Sequence, residues 1–255
     1  MATERLATVR EKLKRGDCLT LDFIGDSITW GLNHCTPEET FVAFFARRFA
    51  TAFPHYRVTR YDGIAESEAL PISHFDGPFS VGGEGNLPEI TVVRNGVGGN
   101  TVRRAIRRKE NFLGKMPNGK HADLAFLMFG INDALSSDRD KFVSPERFEA
   151  DYEELLALLL REPDLLPLLI TPTYNGVNYP LGDYADVVRH TAARHSLPLL
   201  DAHALWTAHY SPSAPRFGQG SWLSESKSDA CHFSPEGAAA TADFLFDGFL
   251  RLLTE

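Results

Sequence analysis

Two distant stretches of the sequence carry side chains that could form a nucleophilic site. The first is the apolar run "LDFIG", which is followed by Asp26 and Ser27. The second is "SDACHFSPEG", in which Asp229 stands three residues before His232. A serine hydroxyl becomes a good nucleophile when a base accepts its proton, and the base needs an orienting partner. The D-x-x-H spacing lets one loop hold a carboxylate against one imidazole nitrogen while the other nitrogen faces a serine.

The same histidine loop has a purely structural explanation. Ser234 is a suitable N-cap and Pro235 a suitable first residue for the helix that follows. Taken alone, D-x-x-H is therefore weak evidence for catalysis. The pattern predicts nucleophilic chemistry only if other loops supply the groups that an acyl transfer requires.

Two further loops could donate hydrogen bonds to a developing oxyanion, where each donor contributes typically ~3 kcal/mol. In "NGVGGNTV", Gly98 and Gly99 let a backbone N–H approach a ligand closely. In "GIND", Asn132 offers a side-chain amide. A tight turn and a helix N-cap would explain the two loops equally well. A dinucleotide fingerprint is disfavoured, because Val102 stands where its third glycine would be.

All of these loops follow predicted strands. Apolar or extended runs predict strands at "CLTLDFIG", "YRVTRY", "ITVVRNG", "ADLAFLMFG", "LLPLLITP" and "LPLLDAH". Amphipathic patterns predict helices in the first fifteen residues, from Thr36 along a stripe of phenylalanines, and over Thr101–Phe112, Pro145–Arg161, Tyr184–His195 and Pro235–Leu252. Alternating strands and helices predict a parallel sheet covered on both faces, with functional groups at the carboxyl ends of its strands.

The length and composition fit one domain spanning residues 1–255. A chain of 255 residues that is 43% hydrophobic can bury a large core. The stretch at about 62–87 is rich in Gly, Pro and Ser and has weak periodicity, so we expect a long insertion there. Such an insertion would shape the rim of a pocket or a subunit contact, which leaves a homo-oligomer open.

Charge and cysteine content narrow the classes of partner. A net charge of -8 disfavours nucleic acid and anionic membranes as partners. The local exception, "RRAIRRK" at Arg103–Lys109, is typical of a solvated helix face. The charged N-terminus has no apolar h-region, and no run is long enough for a membrane span. With three cysteines and no disulfide framework, we expect a cytoplasmic protein.

In chain order, "FIGDSITWG", "NGVGGNT", "FGIND" and "DACH" resemble the four sequence blocks of the SGNH (GDSL-type) hydrolase superfamily. The resemblance spans residues 21–237, most of the chain. It implies a three-layer α/β/α fold, flavodoxin-like, around a five-stranded parallel sheet. This fold agrees with the strand and helix pattern read from the residues.

The resemblance also implies a set of site residues and no metal or organic cofactor. The catalytic group would be Ser27 as nucleophile, His232 as base and Asp229 as its partner, and the oxyanion hole would be the backbone N–H groups of Ser27 and Gly99 with the Asn132 amide. Gly98 is the neighbouring alternative to Gly99. Three residues depart from the common family pattern, namely Asn100, Cys231 and Phe233. None of the three removes a catalytic group.

The implied activity is a serine esterase for short acyl esters, and we expect a small-molecule substrate such as an acetylated carbohydrate. Polar loops and aromatic residues near the strand ends motivate the sugar, since aromatic faces suit sugar rings. The candidates for substrate binding are Asp26, Trp30, Gly98, Tyr174, Trp206 and Trp222. The simpler alternative is that the rings pack the loops and Asp26 hydrogen-bonds one of them.

Other activities remain open within the same resemblance. They are a lipase or lysophospholipase, a thioesterase, and an acyltransferase that uses the same triad. A non-catalytic binding module on this fold is disfavoured, because a binder has no need of all five proposed site residues.

Overall fold

The computed structural model describes residues 2–31, 35–66, 70–174, 180–210, 221–224 and 231–254. Its strands are β1 Leu19–Gly25, β2 Arg57–Ala65, β3 Ile72–Gly82, β4 Glu89–Gly96, β5 Leu124–Met128, β6 Leu166–Ile170 and β7 Leu199–Leu200. Its helices are α1 Ala2–Arg15, α2 Ser27–Trp30, α3 Phe41–Ala52, α4 Val102–Arg107, α5 Glu110–Leu113, α6 Pro145–Leu159, α7 Leu181–His195, α8 Ala202–His209 and α9 Pro235–Thr254, with a 3-10 turn at Pro37–Glu39.

The strands form one sheet in the order β3-β2-β4-β1-β5-β6-β7. All neighbours are parallel except β3, which runs antiparallel to β2. Strand β1 lies in the middle and is buried along its whole length, as its apolar run predicts. Gly25 at the end of β1 is paired with Gly96 of β4 on one side and with Met128 of β5 on the other. The loops that follow these three strands therefore lie side by side at the carboxyl ends of the strands.

Helices cover the sheet in two groups. One group contains α1, α3, α8 and α9, and the other contains α4, α6 and α7. The expected α/β/α fold is confirmed, although the sheet has seven strands instead of five. Of these seven strands, β3 was not predicted, and β7 has only two residues.

The phenylalanine stripe that follows Thr36 packs into the core, as predicted. Phe41, Phe45 and Phe49 of α3 are fully buried. Phe45 also lies edge-on to Phe23 of β1, with ring centroids 5.0 Å apart. This packing joins α3 to the strand that leads to Ser27.

The segment expected as an insertion at about 62–87 forms much of a β-hairpin, in which β3 pairs with β2 along nearly its whole length. Strand β3 is an edge strand and is largely exposed. Because β3 contains Gly and Pro and has two exposed faces, it lacks the alternating pattern that predicts a strand.

A network of ion pairs joins this hairpin to the loops at the carboxyl ends of the parallel strands. The Arg60 side chain is only 1% exposed, and it donates to Asp62 and, at 2.8 Å, to Glu38. Arg94 of β4 donates to the same Asp62 at 2.9 Å and also to the Trp30 carbonyl. Asp62 is buried between the two arginines, and Glu38, which is 64% exposed, supplies a second negative charge from the surface. The network anchors the end of α2, the helix that begins at Ser27.

The last predicted strand was too long. In "LPLLDAH" only Leu199 and Leu200 pair, and α8 begins directly afterwards. The Asp201 carboxylate accepts the Ala204 N–H and caps this helix, so the chain turns away from the sheet. Within the described ranges, no helix combines the length and apolar composition that crossing a bilayer requires.

Candidate active site

Ser27 and His232 meet at the carboxyl edge of the sheet, although 205 residues separate them in the chain. Ser27 begins α2 directly after β1, and His232 precedes α9. His232 Nε2 lies 2.8 Å from Ser27 Oγ, an ordinary hydrogen-bond distance. The imidazole is therefore within reach of the hydroxyl proton, as general-base catalysis requires.

Asp26 holds the helix that presents Ser27. Its carboxylate accepts the Ile28 N–H at 2.9 Å, and the residue is 2% exposed. Burial raises the pKa of Asp26 to about 7, against the opposing effects of the Ile28 hydrogen bond and nearby His232. The capping contact agrees with the simpler alternative, in which Asp26 makes a structural hydrogen bond instead of contacting the substrate.

A glycine at the end of β4 lets α2 lie directly against the sheet. A Cβ atom on Gly96 would stand 2.3 Å from the Trp30 nitrogen and 2.8 Å from the Asp26 carbonyl oxygen. Backbone atoms cannot yield at such distances, so any larger residue would displace the helix that carries Ser27. This close approach links the "NGVGGNT" loop to the serine.

The turn Val97–Asn100 presents the first predicted oxyanion donor. The Asn100 N–H donates to the Val97 carbonyl at 3.1 Å, and Gly99 has φ 63°, a conformation that favours glycine. Among the described residues the Gly99 N–H has no acceptor. The Gly98 N–H has no acceptor among these residues either, and both glycines are buried, so both N–H groups remain candidate oxyanion donors.

Asn132, the second predicted donor, lies in the adjacent loop after β5. Its side-chain Nδ2 donates to the Asn100 carbonyl at 2.9 Å, and the residue is buried. An amide group carries two N–H donors, so one contact leaves a second donor. The two predicted oxyanion loops are thus joined directly by a hydrogen bond.

The basic run after this turn was interpreted as a solvated helix face, and two of its arginines point inward instead. Arg104 donates to the Gly99 carbonyl at 3.0 Å, and the buried Arg108 donates to Asn100 Oδ1 at 3.2 Å. Arg103 and Arg107 are exposed, as expected. Charge density alone could not distinguish the inward arginines from the outward ones.

The loop that carries His232 is well anchored on its C-terminal side. Ser234 Oγ accepts the Gly237 N–H at 3.1 Å, and Phe233 pairs with Leu223 in an isolated bridge. The structural explanation for "HFSPEG" is therefore confirmed, and it is compatible with a catalytic role for His232. Cys231 Sγ lies 3.7 Å from His232 Nδ1. Asp229, the expected partner of the histidine, lies outside the described residues.

The aromatic candidates for substrate binding separate into two kinds. Trp206 is completely buried, stacks on Phe233 at 4.5 Å and donates to Thr241, so it supports the histidine loop and cannot contact a substrate. The prediction for Trp206 was wrong, because aromatic type does not reveal burial. Three others are half-buried and remain candidates, namely Trp30, Tyr174 and Trp222.

A small cavity beside the serine was not predicted. It has room for about one water-sized group, about 10 Å³. Besides Ser27 and His232, its lining includes Ile28, Cys35, Phe41 and Phe233. Cys35 lies between α2 and α3, and Phe41 is the first residue of α3. The sequence of this segment signals a helix start and nothing about a pocket.

Asp133 lies fully buried beside Asn132. Its Oδ1 accepts the Val102 N–H at 3.2 Å, and its Oδ2 has no partner among the described residues. Burial raises the pKa of Asp133 to about 8, and the charge of Asp26 adds to the shift. The folded chain therefore keeps a proton on Asp133 at pH values where the unfolded chain releases it.

Replacing Asp133 with asparagine should make stability less sensitive to pH. Between about pH 4 and about pH 8, the wild type loses up to about 1.4 kcal/mol of unfolding free energy per pH unit through this carboxyl, and the variant does not. Urea unfolding of both proteins over this range should give a free-energy difference that increasingly favours Asp133→Asn as the pH rises. A difference that stays constant with pH would show that Asp133 titrates normally.

Comparisons with known proteins agree with this architecture. The model of the GDSL-like Lipase/Acylhydrolase family matches residues 81–240, more than half of the chain, a span that contains Gly99, Asn132 and His232 but not Ser27. A search of curated protein sequences finds no match.

Several solved structures share the fold. The acetyl xylan esterase AlAXEase has a TM-score of 0.62 at 20% identity, covering 90% of this chain and 98% of that one. The acetylxylan esterase Axe2 from Geobacillus stearothermophilus, solved as a catalytic mutant, has a TM-score of 0.60 at 23% identity, covering 93% and 95%. A two-domain esterase active on acetylated mannans has a TM-score of 0.65 at 18% identity, with 98% of this chain matching 54% of that one. With a family match over more than half its length, the chain belongs to the GDSL-like lipase/acylhydrolase family and is a carboxylic ester hydrolase.

Proposed function

We propose that the protein is a serine esterase that removes short acyl groups, in particular acetyl groups, from carbohydrates. The observation that carries the catalytic part is the 2.8 Å contact between His232 Nε2 and Ser27 Oγ. The contact supports His232 as the base for a serine hydroxyl at the end of the central strand. Such a pair is the minimum needed for an acyl-enzyme mechanism.

In the proposed mechanism, His232 accepts the Ser27 proton as Oγ attacks the ester carbonyl. Asp229 orients the imidazole and stabilises its charged form. The N–H groups of Ser27 and Gly99 and the Asn132 amide bind the oxyanion of the tetrahedral intermediate. His232 then protonates the leaving alcohol, and a water that the same histidine activates releases the acid and restores Ser27.

The small cavity beside Ser27 supports a short acyl group. In the described residues it is walled by apolar side chains such as Ile28 and Phe41 and admits about one small group. An acetyl methyl fits this space, whereas a long acyl chain does not. Trp30, Tyr174 and Trp222 are half-buried, and one face of Tyr174 and one of Trp222 is stacked on a neighbouring ring, so only their other faces can meet a sugar.

The names of structural neighbours favour the same substrate class. Two of the similar structures are acetyl xylan esterases, and one is an esterase active on acetylated mannans. At these identities the likeness establishes the shared fold, so the sugar substrate remains part of the proposal.

The acyl preference can be tested with p-nitrophenyl esters and acetylated oligosaccharides. We expect kcat/KM to fall about tenfold or more from acetate to octanoate, and acetate to be released from acetylated xylo- or manno-oligosaccharides. Cys35→Ala, which enlarges the cavity, should raise the butyrate-to-acetate ratio a few-fold. Cys18→Ala is the matched control, because Cys18 Sγ accepts the Glu89 N–H at the amino ends of the strands, away from Ser27.

The outcomes separate the alternatives. Rapid cleavage of long acyl esters without acetate release from any sugar would contradict the carbohydrate proposal and favour a lipase-type activity. An added alcohol that outcompetes water for the acyl-enzyme would indicate an acyltransferase.

A further inference from the structure

We propose that Arg104 is a specificity-determining residue that selects acetylated saccharides carrying a carboxylate. The inference deepens the proposed function and rests on it, because it assumes that the ester of an acetylated sugar reacts at Ser27. It gives a role to part of "RRAIRRK", a basic run that the mechanism above does not use. Its evidence is the position of one half-buried guanidinium beside the oxyanion loop.

Arg104 lies near the carboxyl ends of the strands, where the substrate must arrive. It is the third residue of α4, whose N-cap Thr101 directly follows the turn Val97–Asn100. Its Nη1 donates to the Gly99 carbonyl at 3.0 Å. If the Gly99 N–H binds the oxyanion, backbone dimensions and hydrogen-bond lengths place the guanidinium within about 10 Å of that oxyanion. A carboxylate on the reacting sugar ring or on the next ring can span this distance.

The Arg104 guanidinium keeps donors for an external anion. A guanidinium carries five N–H donors, and the contact with Gly99 uses one of them. Among the described residues, no carboxylate pairs with Arg104. Elsewhere in this acidic chain, Arg48, Arg189 and Arg194 each hold a carboxylate at 2.6 Å. A half-buried arginine with unused donors is suited to a two-point contact with a carboxylate.

The charges around Arg104 favour an anion locally, although the chain has a net charge of -8. Five of the seven residues in Arg103–Lys109 are cationic. Arg103 and Arg107 are exposed, and the contact of Arg103 with Asp151 is long, at 3.9 Å. Exposed cations on the same helix attract an anionic substrate toward this side of the site, and Arg104 then supplies the specific contact.

The contact with Gly99 also has a structural explanation, in which Arg104 only stabilises the turn. The two explanations differ in what they predict for neutral substrates. Loss of a turn contact would slow the hydrolysis of acidic and neutral esters by the same factor. Loss of a carboxylate contact would slow the acidic ester more. The informative quantity is therefore the ratio of kcat/KM for an acidic substrate to that for a matched neutral one.

Acetate release from two matched trisaccharides measures this ratio. The substrates are acetylated trigalacturonate and the acetylated galactose trisaccharide of the same linkage, which carry carboxylates and hydroxymethyl groups, respectively. We expect the wild type to prefer the acidic substrate about tenfold or more at low salt, mainly through a lower KM. Arg104→Gln should bring the ratio to within about twofold of unity. Arg104→Lys should keep part of the preference, because lysine retains the charge but loses the planar fork.

Arg48→Gln is the matched control. It removes one exposed positive charge from α3, where Arg48 pairs with Asp243 of α9 in the other helical layer. Its ratio should equal that of the wild type. A loss of preference as large as in Arg104→Gln would show that net charge causes the preference, and it would overturn the contact proposed for Arg104.

The remaining outcomes also decide the inference. A wild type without preference for the acidic trisaccharide would overturn it. An Arg104→Gln variant that loses rate equally on both substrates would overturn it too, and would leave Arg104 with the turn contact alone. Acetate release from neither trisaccharide, with p-nitrophenyl acetate still cleaved, would refute the carbohydrate part of the proposed function and the inference with it. Cleavage of the neutral trisaccharide therefore distinguishes a failure of the inference from a failure of the proposed function.

Discussion

Ser27→Ala is expected to lower kcat for ester hydrolysis by roughly 10⁴- to 10⁶-fold. Alanine has no oxygen to form the acyl-enzyme, so only the stabilisation of the oxyanion and substrate binding would remain. The fold should change little, because the hydroxyl makes one hydrogen bond to His232, a contact that contributes about 1 kcal/mol.

The Ser27 prediction is measured as the initial rate on p-nitrophenyl acetate and by mass spectrometry after treatment with a serine-directed phosphonate. The wild type should gain one phosphonyl group at Ser27, and the variant should gain none. Ser144→Ala is the control, because Ser144 caps α6 by accepting the Arg147 N–H. It should cost about 1 kcal/mol of stability and no activity. An unchanged rate in Ser27→Ala would remove this serine from the mechanism.

His232→Ala should reduce kcat about as strongly as Ser27→Ala does, by roughly 10⁴-fold or more. Without the imidazole, nothing in the proposed mechanism accepts the Ser27 proton or returns it to the leaving alcohol. The deletion also enlarges the cavity that His232 lines. Imidazole added to the buffer can enter this space, so we expect it to restore part of the rate in proportion to its concentration.

Rescue by imidazole distinguishes a lost base from a damaged fold. His195→Ala provides the comparison, since His195 contacts Glu153 at the C-terminal end of α7. That variant should keep full activity and show no response to imidazole. The double variant Ser27→Ala/His232→Ala should be no slower than either single one, because the two residues act as a unit. A His232→Ala enzyme with near wild-type kcat would contradict the proposed base.

Local sequence signals were sufficient to predict much of the framework. The apolar run before Ser27 forms the buried central strand, and Ser234 with Pro235 starts α9 as predicted. These features depend on residues close together in the chain, where burial pattern and capping operate. The placement of Gly99 and Asn132 in loops after strands followed from the same reasoning.

Features that depend on distant contacts could not be predicted in this way. The edge strand β3 forms because β2 offers it hydrogen bonds, and the network of Arg60, Asp62 and Arg94 forms because the hairpin and β4 bury these charges together. Tryptophan is a residue type that suits sugar binding, yet the neighbours of Trp206 bury it completely. Pairing and burial are properties of the assembled layers and not of a local pattern.

The sequence by itself determined which residues could do the chemistry: a serine after a buried strand, a histidine before the last helix, and glycine and asparagine in two strand-end loops. Tertiary structure decided how they meet. Parallel strands bring their carboxyl ends to one edge, so Ser27 and His232 come within 2.8 Å and Asn132 joins Asn100. The tertiary structure also decided that Asp26 caps α2 and that Asn100 bonds to the Gly25 carbonyl. A buried polar group takes the partner that packing places beside it.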